Sequence, residues 1–193
     1  MYKQCVTAQS AKRQRELEQS LLTAMLDRPY EDISISALCD HIGIPRKAFY
    51  RYFSGKDGAL YALIDHTIMD FAGEVFSDEP QATIDTLERF FCFWHNQRRL
   101  LDALDHSGLT GVLLQRSLAK ASAEDLLPQR NFSFQPHLPH SYMVHFLISG
   151  LLSMVFLWYR NGFQETPRQL AMASAQLMTQ PLISRPYLPV QIP

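Results

Sequence analysis

The stretch that decides the fold runs from residue 30 to residue 60 and reads YEDISISALCDHIGIPRKAFYRYFSGKDGAL. Ser34 is a typical helix N-cap, and the apolar residues after it are spaced for one face of a short helix. Gly43 can adopt the left-handed conformation that ends such a helix, and Pro45 suits the first turn of the next one. The pattern predicts two helices, over residues 35–42 and 45–53, joined by a glycine turn as in a helix-turn-helix.

The second of these helices has two unlike faces. Phe49 and Phe53 lie four residues apart and predict a buried face. The opposite face carries side chains that suit DNA, namely Arg46, Lys47, Tyr50 and Arg51. Arginine can donate two hydrogen bonds to one guanine, lysine and tyrosine reach phosphates, and the backbone N–H groups after Ser34 suit a phosphate. From spacing alone, a solvated basic corner of a helical bundle stays open as the alternative.

The rest of the chain also has helical periodicity, and no segment of strand period is long enough to matter. We expect a mobile arm over residues 1–11 and a first helix from Lys12 to just before Pro29, which cannot continue a helix. Further helices are predicted over residues 56–76, 81–97, 98–106, 109–125, 141–162 and 167–179, with a loop over 126–140. The fold class is therefore all-α. The predicted units are a three-helix DNA-binding head over 1–55, a connecting helix over 56–77, a larger helical domain over 78–180 and a flexible tail over 181–193.

Charge and cysteine content indicate the compartment and the partner. Residues 1–60 hold nine basic and seven acidic side chains, whereas the remainder of the chain carries a net charge of −3. Three scattered cysteines without a CxxC pair, and no signal-peptide pattern, favour a reducing cytoplasm. The apolar stretch 142–159 approaches the length of a membrane span. Because polar residues recur inside it, we expect a helix buried by protein and no membrane contact.

The helix-turn-helix segment resembles part of a known protein family. Residues 30–60 are similar to the DNA-binding head of TetR/AcrR-type transcriptional regulators, through Ile33-Ser34-Ile35, Leu38, Gly43-Ile44, the string AFYRYF at 48–53, and Lys56 followed by Leu60. The resemblance implies that Ser34, Tyr50, Tyr52 and Lys56 contact phosphates. It also implies that Ser36, Arg46 and Lys47 lie where family members read bases or groove edges.

The C-terminal region resembles the last two helices of one subgroup of that family, at Gly150, Trp158, Gly162 and Pro167. The resemblance implies a homodimer in which two helices from each subunit form a four-helix bundle. Physical reasoning agrees, because the helix over 141–162 has more apolar surface than one small domain can cover. The expected interface residues are Leu147, Leu151, Met154, Trp158, Leu170 and Leu177.

The resemblance further implies a pocket for a small apolar or aromatic effector inside the second region. The candidate lining residues are Phe90, Phe93, Trp94, His95, Leu113, Met143 and Phe146. The alternative for the aromatic run at 90–94 is an ordinary hydrophobic core. His137, His140 and His145 lack a nearby carboxylate or thiol, so we expect no metal and no cofactor.

No nucleophile elbow, phosphate-binding glycine loop or HExxH helix is present, so an enzyme is not expected. The sequence therefore predicts a cytoplasmic homodimer that binds a palindromic operator in double-stranded DNA, as a ligand-responsive repressor. One alternative is a DNA-binding regulator or a nucleoid or cell-division factor without an effector. A more distant alternative is a helical adaptor that binds only protein.

Overall fold

A computed structural model of the chain describes residues 1–76, 82–124 and 139–179. Within these ranges the regular structure is helical, apart from one isolated β-bridge between Tyr2 and Phe53. The helices are α1 (Ala8–Asp27), α2 (Ile35–His41), α3 (Arg46–Phe49), α4 (Lys56–Val75), α5 (Thr83–Asn96), α6 (Arg98–His106), α7 (Thr110–Glu124), α8 (His140–Arg160) and α9 (Pro167–Thr179). The all-α prediction is confirmed. The predicted tail over 181–193 and most of the predicted loop over 126–140 lie outside the described residues.

Helix α1 begins four residues earlier than predicted, at Ala8. The reason is a reciprocal cap: the Ser10 amide donates to Thr7 Oγ1 over 3.2 Å, and the Thr7 amide donates to Ser10 Oγ over 3.3 Å. Such a capping box satisfies backbone donors that the first turn would otherwise leave unpaired. The helix ends at Asp27, two residues before Pro29, as the sequence predicts.

The prediction of a mobile arm over residues 1–11 is wrong for its first residues. The Lys3 amide donates to the Tyr52 carbonyl over 2.9 Å, and the Ser54 amide donates to the Met1 carbonyl over 3.0 Å. The arm thus pairs with the end of the helix-turn-helix segment. These hydrogen bonds join residues about fifty positions apart, so no local periodicity in the sequence predicts them.

The helix-turn-helix segment folds much as its sequence predicts. The Ala37 amide donates to Ser34 Oγ over 3.1 Å, which caps α2, and Gly43 has φ +66° in the turn. Helix α3 is shorter than predicted, because after Phe49 the chain continues as tight turns in which the Phe53 amide still donates to the Phe49 carbonyl over 3.1 Å. Phe49 and Phe53 are fully buried, as expected from their spacing.

The two halves of the chain share one hydrophobic core. Helix α1 packs against both α4 and α6, α7 packs against α4 and α8, and α5 packs against α9. The buried side chains form a continuous cluster from Leu17 in α1 to Ala171 in α9. The boundary predicted between residues 77 and 78 lies outside the described residues, so the division into domains stays a prediction.

Helix α8 is, within the described residues, the one helix long and apolar enough to cross a membrane by length and composition. Only 28% of its most apolar window is buried inside the protomer. Core helices of proteins that never meet a membrane can have the same length and composition. Within the described residues, much of the apolar surface of α8 is left uncovered.

Candidate nucleic-acid interface and ligand cavity

The predicted DNA-contacting face of α3 and the turn after it points to solvent. Arg46, Lys47, Tyr50 and Arg51 are all exposed, on the side opposite the buried Phe49. Arg46 Nη2 donates to the Tyr50 hydroxyl over 3.1 Å, and the guanidinium lies 5.7 Å from the centroid of the Tyr50 ring. This pair restrains the Arg46 side chain, which lowers the side-chain entropy that a contact with a base would otherwise cost.

The remaining predicted DNA contacts flank this face. Ser34 and Ser36 are exposed at the start of α2, and the Ser34 hydroxyl keeps its own proton free to donate while its oxygen caps the helix. Tyr52 is half-buried, and its carbonyl is paired with the arm. Contact of these side chains with DNA stays a prediction.

Lys56 has a structural role that the sequence did not indicate. Its ammonium donates to the carbonyl oxygens of Tyr30 and Glu31 and lies 4.3 Å from the centroid of the Tyr30 ring. An ammonium has three N–H donors, so one remains for the predicted phosphate. The Tyr30 hydroxyl donates to Asp57 Oδ1 over 2.6 Å. Burial raises the pKa of the Tyr30 phenol, so it stays a neutral donor, and the start of α4 is fixed to the turn that precedes α2.

A buried charged cluster joins α4, α7 and the N-terminal arm. Asp65 in α4 is 1% exposed, and it accepts hydrogen bonds from Arg116 Nε at 2.7 Å, from Arg116 Nη2 and from the Tyr2 hydroxyl at 2.8 Å. Lys120 Nζ lies 3.9 Å from the same carboxylate. The hydrogen bonds from Arg116 to Asp65 raise the pKa of the guanidinium. Sequence reasoning missed this cluster, because its members lie on separate elements and have no shared motif.

A second polar contact fixes α1 to α4. Glu18 is fully buried, and His66 Nδ1 lies 2.9 Å from each of its carboxylate oxygens. On the surface beside them, Arg15 donates to both carboxylate oxygens of Asp70 over 3.0 and 3.2 Å. These two contacts fix α4 to α1, so a shift of α4 also moves the N-terminal helices attached to it.

An apolar cavity lies between α4, α5, α7 and α8. Its volume is about 70 Å³. The described lining residues are Ile68, Phe71, Val75, Phe76, Thr86, Leu87, Phe90, Trp94, Ser117, Ala121, Leu147, Ile148, Leu151 and Leu152. Ile68, Phe71 and Val75 belong to α4, and Phe76 follows it directly. From the sequence, α4 was predicted only as the helix that connects the DNA-binding head to the larger helical domain.

The predicted pocket set is partly corrected by this geometry. Phe90 and Trp94 line the cavity, whereas Phe93 and Leu113 are buried in the surrounding core. Phe146 is 70% exposed, because α8 turns it away from α5 and α7 and presents Leu147 and its neighbours instead. Two further members lie elsewhere: His95 is exposed and packs on the ring of Phe163, and Met143 is half-buried near the start of α8.

The predicted dimer residues are also divided by the structure. Leu147 and Trp158 are buried within the protomer and cannot face a partner: Leu147 lines the cavity, and Trp158 packs on Phe91 and donates to the Glu165 carbonyl over 2.9 Å. Leu151, Met154 and Leu170 are half-buried, and Leu177 is 54% exposed. Helix α8 is apolar on every side, so sequence alone could not identify which side packs inward.

The outer side of α8 carries a different stripe, which we call the α8 stripe. It consists of Tyr142, Phe146, Gly150, Ser153 and Leu157, all exposed and three or four residues apart. A Cβ added at Gly150 would meet nothing within 4 Å, so the helix has a flat place where another helix could approach closely. The stripe combines large apolar groups at both ends with small residues in the middle.

The described residues contain no group of three or more histidine, cysteine or acidic side chains that could hold a metal ion. Of the three histidines considered, His137 lies outside the described residues. His145 Nδ1 is 2.8 Å from the Ser141 carbonyl within its own helix.

Comparison with known proteins agrees with the geometry of the head. Residues 22–63 match the sequence family described as bacterial regulatory proteins, tetR family. The chain is 37% identical over 59 residues to the HTH-type transcriptional regulator EthR of Mycobacterium tuberculosis, a match that covers 30% of this chain and 27% of that protein. The chain therefore aligns with about a quarter of the length of this curated relative.

Comparison with solved structures extends the likeness to the whole fold. The fatty acid degradation regulator FadR from Bacillus halodurans superposes with a TM-score of 0.63 at 16% identity, covering 90% of this chain and 97% of that one. A tetR-family transcriptional regulator from Streptomyces coelicolor gives a TM-score of 0.57 at 21% identity, covering 83% of this chain and 77% of that one. At these identities the likeness concerns the fold alone.

Proposed function

We propose that the chain is a sequence-specific DNA-binding transcriptional regulator of the bacterial tetR family, a proposal supported by the match of residues 22–63 to that family and by the likeness to EthR over 59 residues. The observation that carries the proposal is the exposed basic face. Arg46, Lys47 and Arg51 are exposed together, on a short element whose Phe49 is buried and which contacts α2 and, through Tyr52, the arm. In helix-turn-helix proteins this element enters the major groove, and its first residues meet base edges.

The domain organisation proposed for this function follows the sequence prediction. Residues 1–55 form the DNA-binding head, 56–77 the connecting helix and 78–180 the dimerisation and effector domain. The proposed dimer places two heads on successive major grooves of a palindromic operator, roughly 34–36 Å apart or somewhat more. We assign the α8 stripe to the subunit interface, because exposed apolar residues grouped on one helix face mark such surfaces. We add the exposed apolar residues Met172 and Leu177 of α9 to this interface. The protein is proposed to act in the cytoplasm, where the DNA is.

The second part of the proposal is that a small apolar molecule in the cavity releases the DNA, so that the protein is a ligand-responsive repressor. Support comes from the position of the cavity, which is lined by Ile68 and Phe71 of the same helix whose first residues fix the head. A ligand that favours another position of α4 changes the spacing of the two heads. A coupling of about 1–3 kcal/mol between ligand and DNA is enough for a switch.

The DNA-binding proposal is tested with the full-length protein and labelled duplexes that tile the DNA on either side of its coding sequence. We expect one duplex to be bound much more tightly than the others, with affinity falling steeply as salt rises. Arg46→Ala should weaken binding to that duplex by roughly 5- to 150-fold, the value of a bidentate contact with a base of about 1–3 kcal/mol.

The matched control is Arg98→Ala, which removes another exposed arginine, from α6. It should leave DNA affinity unchanged within about twofold, because Arg98 lies outside the helix-turn-helix segment and has a carboxylate neighbour in its own helix, Asp102, at 3.9 Å. Equal affinity of wild type and Arg46→Ala for every duplex would refute the proposal and favour a protein-binding adaptor. Ligand control is tested separately, by titrating small apolar molecules into the complex with DNA; if ligand-saturated protein holds the duplex as tightly as free protein, the repressor mechanism fails.

A further inference from the structure

The N-terminal arm is attached to the end of the helix-turn-helix segment in the manner of an added β-strand. The Lys3 amide donates to the Tyr52 carbonyl over 2.9 Å, and Tyr2 lies opposite Phe53 in an antiparallel bridge. In such a pair, two opposite residues have their side chains on the same face, and the next residue along the chain points to the other face. The bridge therefore fixes the direction of the side chains on either side of it.

The inner face of this pair anchors the arm to the core. Phe53 is 1% exposed, and the hydroxyl of the half-buried Tyr2 donates to Asp65 Oδ2 over 2.8 Å. The arm also lies very close to α4. A Cβ added at Gly58 would be 2.5 Å from the Met1 carbonyl oxygen, and the three nearest atoms all belong to the Met1 backbone. A glycine at position 58 is thus what allows the arm to dock here.

The outer face of the same pair carries Lys3 and Tyr52. Lys3 follows Tyr2, so its side chain points away from the core, and it is exposed. Its Cβ is expected about 4.5–5.5 Å from that of Tyr52, the spacing of opposite residues in antiparallel strands. Arg51, which precedes Tyr52, is exposed as well. The arm thus adds a cation at the edge of the face that is proposed to contact DNA.

Lys3 differs from two basic residues of the neighbouring helix α1 in its lack of a counter-charge. Arg13 lies 2.9 Å from Glu16, and Arg15 lies 3.0 Å from Asp70. Lys3 makes no ion pair with any residue that the structure describes. Its backbone is already ordered by the bridge, so binding of a phosphate would have to order only the side chain.

We propose that the docked arm is a further part of the DNA interface, in which Lys3 binds a backbone phosphate beside the proposed contact of Tyr52. Tyr2 and Gly58 are positioning residues that hold the arm in place. The inference rests on the function proposed above, because it extends the same surface. A phosphate contact contributes affinity without reading sequence. The arm should therefore strengthen binding to every duplex, so its contribution can be measured without knowledge of the operator.

The experiment measures the affinity of the full-length protein for a random-sequence duplex about three helical turns long, by fluorescence anisotropy at several salt concentrations. Lys3→Met removes the charge and keeps the length of the side chain. For each arm that contacts the duplex, it should reduce the slope of log affinity against log salt by about 0.9. A rise in salt from about 50 to 200 mM should then weaken binding by the variant about 3.5-fold less than binding by the wild type. Lys3→Arg should keep the wild-type slope, as should the control Arg98→Ala.

Gly58→Ala tests the docking of the arm without a change at an exposed side chain. The added Cβ must displace the Met1 carbonyl, whereas alanine is otherwise favoured within a helix. Hydrogen exchange at the Lys3 amide should become faster, because that amide loses its acceptor on Tyr52. In this background Lys3→Met should change the salt slope by less than it does in the wild type, since the ammonium is no longer held beside its phosphate.

Equal salt slopes for the wild type and Lys3→Met would overturn the inference and leave the proposed function standing, because recognition by Arg46 is measured separately. An undiminished effect of Lys3→Met in Gly58→Ala would also overturn it, since the lysine would then act from an undocked arm. An arm as protected in Gly58→Ala as in the wild type would contradict the docking itself. If instead Arg46→Ala changes no affinity while the Lys3→Met effect is present, sequence-specific regulation fails and only non-specific binding of DNA remains.

Discussion

Replacement of Asp65 by asparagine is the most informative perturbation of the fold. The substitution keeps the volume of the side chain and removes its charge. It leaves two cations beside a neutral amide: Arg116, whose side chain is only 28% exposed, and Lys120, whose Nζ lies 3.9 Å from the carboxylate in the wild type. Tyr2 loses the charged acceptor to which it donates over 2.8 Å.

The size of the effect follows from these burials. Removal of one partner from a buried ion pair typically costs about 3–5 kcal/mol, because the other charge is left without compensation. Arg116 keeps part of its hydration, which lowers the expected loss to about 2–4 kcal/mol in the free energy of unfolding. That is a large fraction of the 5–15 kcal/mol by which a domain of this kind is usually stable.

The assay is urea unfolding followed by circular dichroism, at a fixed protein concentration so that self-association does not alter the comparison. The matched control is Asp105→Asn, which breaks the pair with Arg160 at 2.7 Å. Those two side chains are 34% and 59% exposed, so the control should cost at most about 1 kcal/mol.

The double variant Asp65→Asn/Arg116→Met distinguishes an uncompensated charge from a general packing defect. Because it removes the orphaned guanidinium and keeps the volume, it should recover part of the stability lost by Asp65→Asn. Equal losses for Asp65→Asn and Asp105→Asn would refute the reasoning, since burial would then make no difference to the cost of breaking the pair.

Two further predictions concern the proposed subunit interface at the α8 stripe and the loss of stability at high pH. Phe146→Glu places a charge in the α8 stripe and should convert the proposed dimer to a monomer in sedimentation velocity. Met69→Glu, at an exposed residue of α4, should not; a dimer that persists in Phe146→Glu would exclude the α8 stripe as the interface. Burial, with the hydrogen bond to Asp102, raises the pKa of the Tyr159 phenol to about 12 from its ordinary 10.0. The folded state thus holds this proton more tightly, so its contribution to stability is complete below about pH 10 and is lost as the pH rises towards 12. Tyr159→Phe should flatten the decline of the unfolding free energy over that interval, and an unchanged slope would contradict the assignment.

Much of the fold could be predicted from the sequence because its signals are local. Ser34 as a cap, Gly43 at positive φ and the four-residue spacing of Phe49 and Phe53 each depend on neighbours within one or two turns. The same signals placed Lys47 on the exposed face, because it lies two residues before the buried Phe49 and so points to another side of the helix.

What the sequence could not predict depends on contacts between distant elements. The arm pairs with Tyr52 and Ser54 through backbone groups, which have no residue signature. Helix α8 is apolar on all sides, so periodicity could not tell the inner residue Trp158 from the outer residue Leu157. From the sequence alone, Asp65 resembles a surface carboxylate of an amphipathic helix. Its partner Arg116 lies 51 positions later, so no local pattern indicates that the carboxylate is buried.

The register of α7 connects the cavity with this buried charge. Ser117 and Ala121 line the cavity, and the residues immediately before them, Arg116 and Lys120, face Asp65 of α4. A ligand of the kind proposed, if it displaced α7, would therefore disturb this ion pair, and the removal of one partner of the pair costs about 2–4 kcal/mol by the reasoning above. A switch requires only about 1–3 kcal/mol, so partial weakening of this pair is sufficient. Asp65 also holds Tyr2, and the arm on either side of Tyr2 pairs with the end of the helix-turn-helix segment. This carboxylate therefore gives a second connection from the cavity to the helix-turn-helix segment, beside α4 itself.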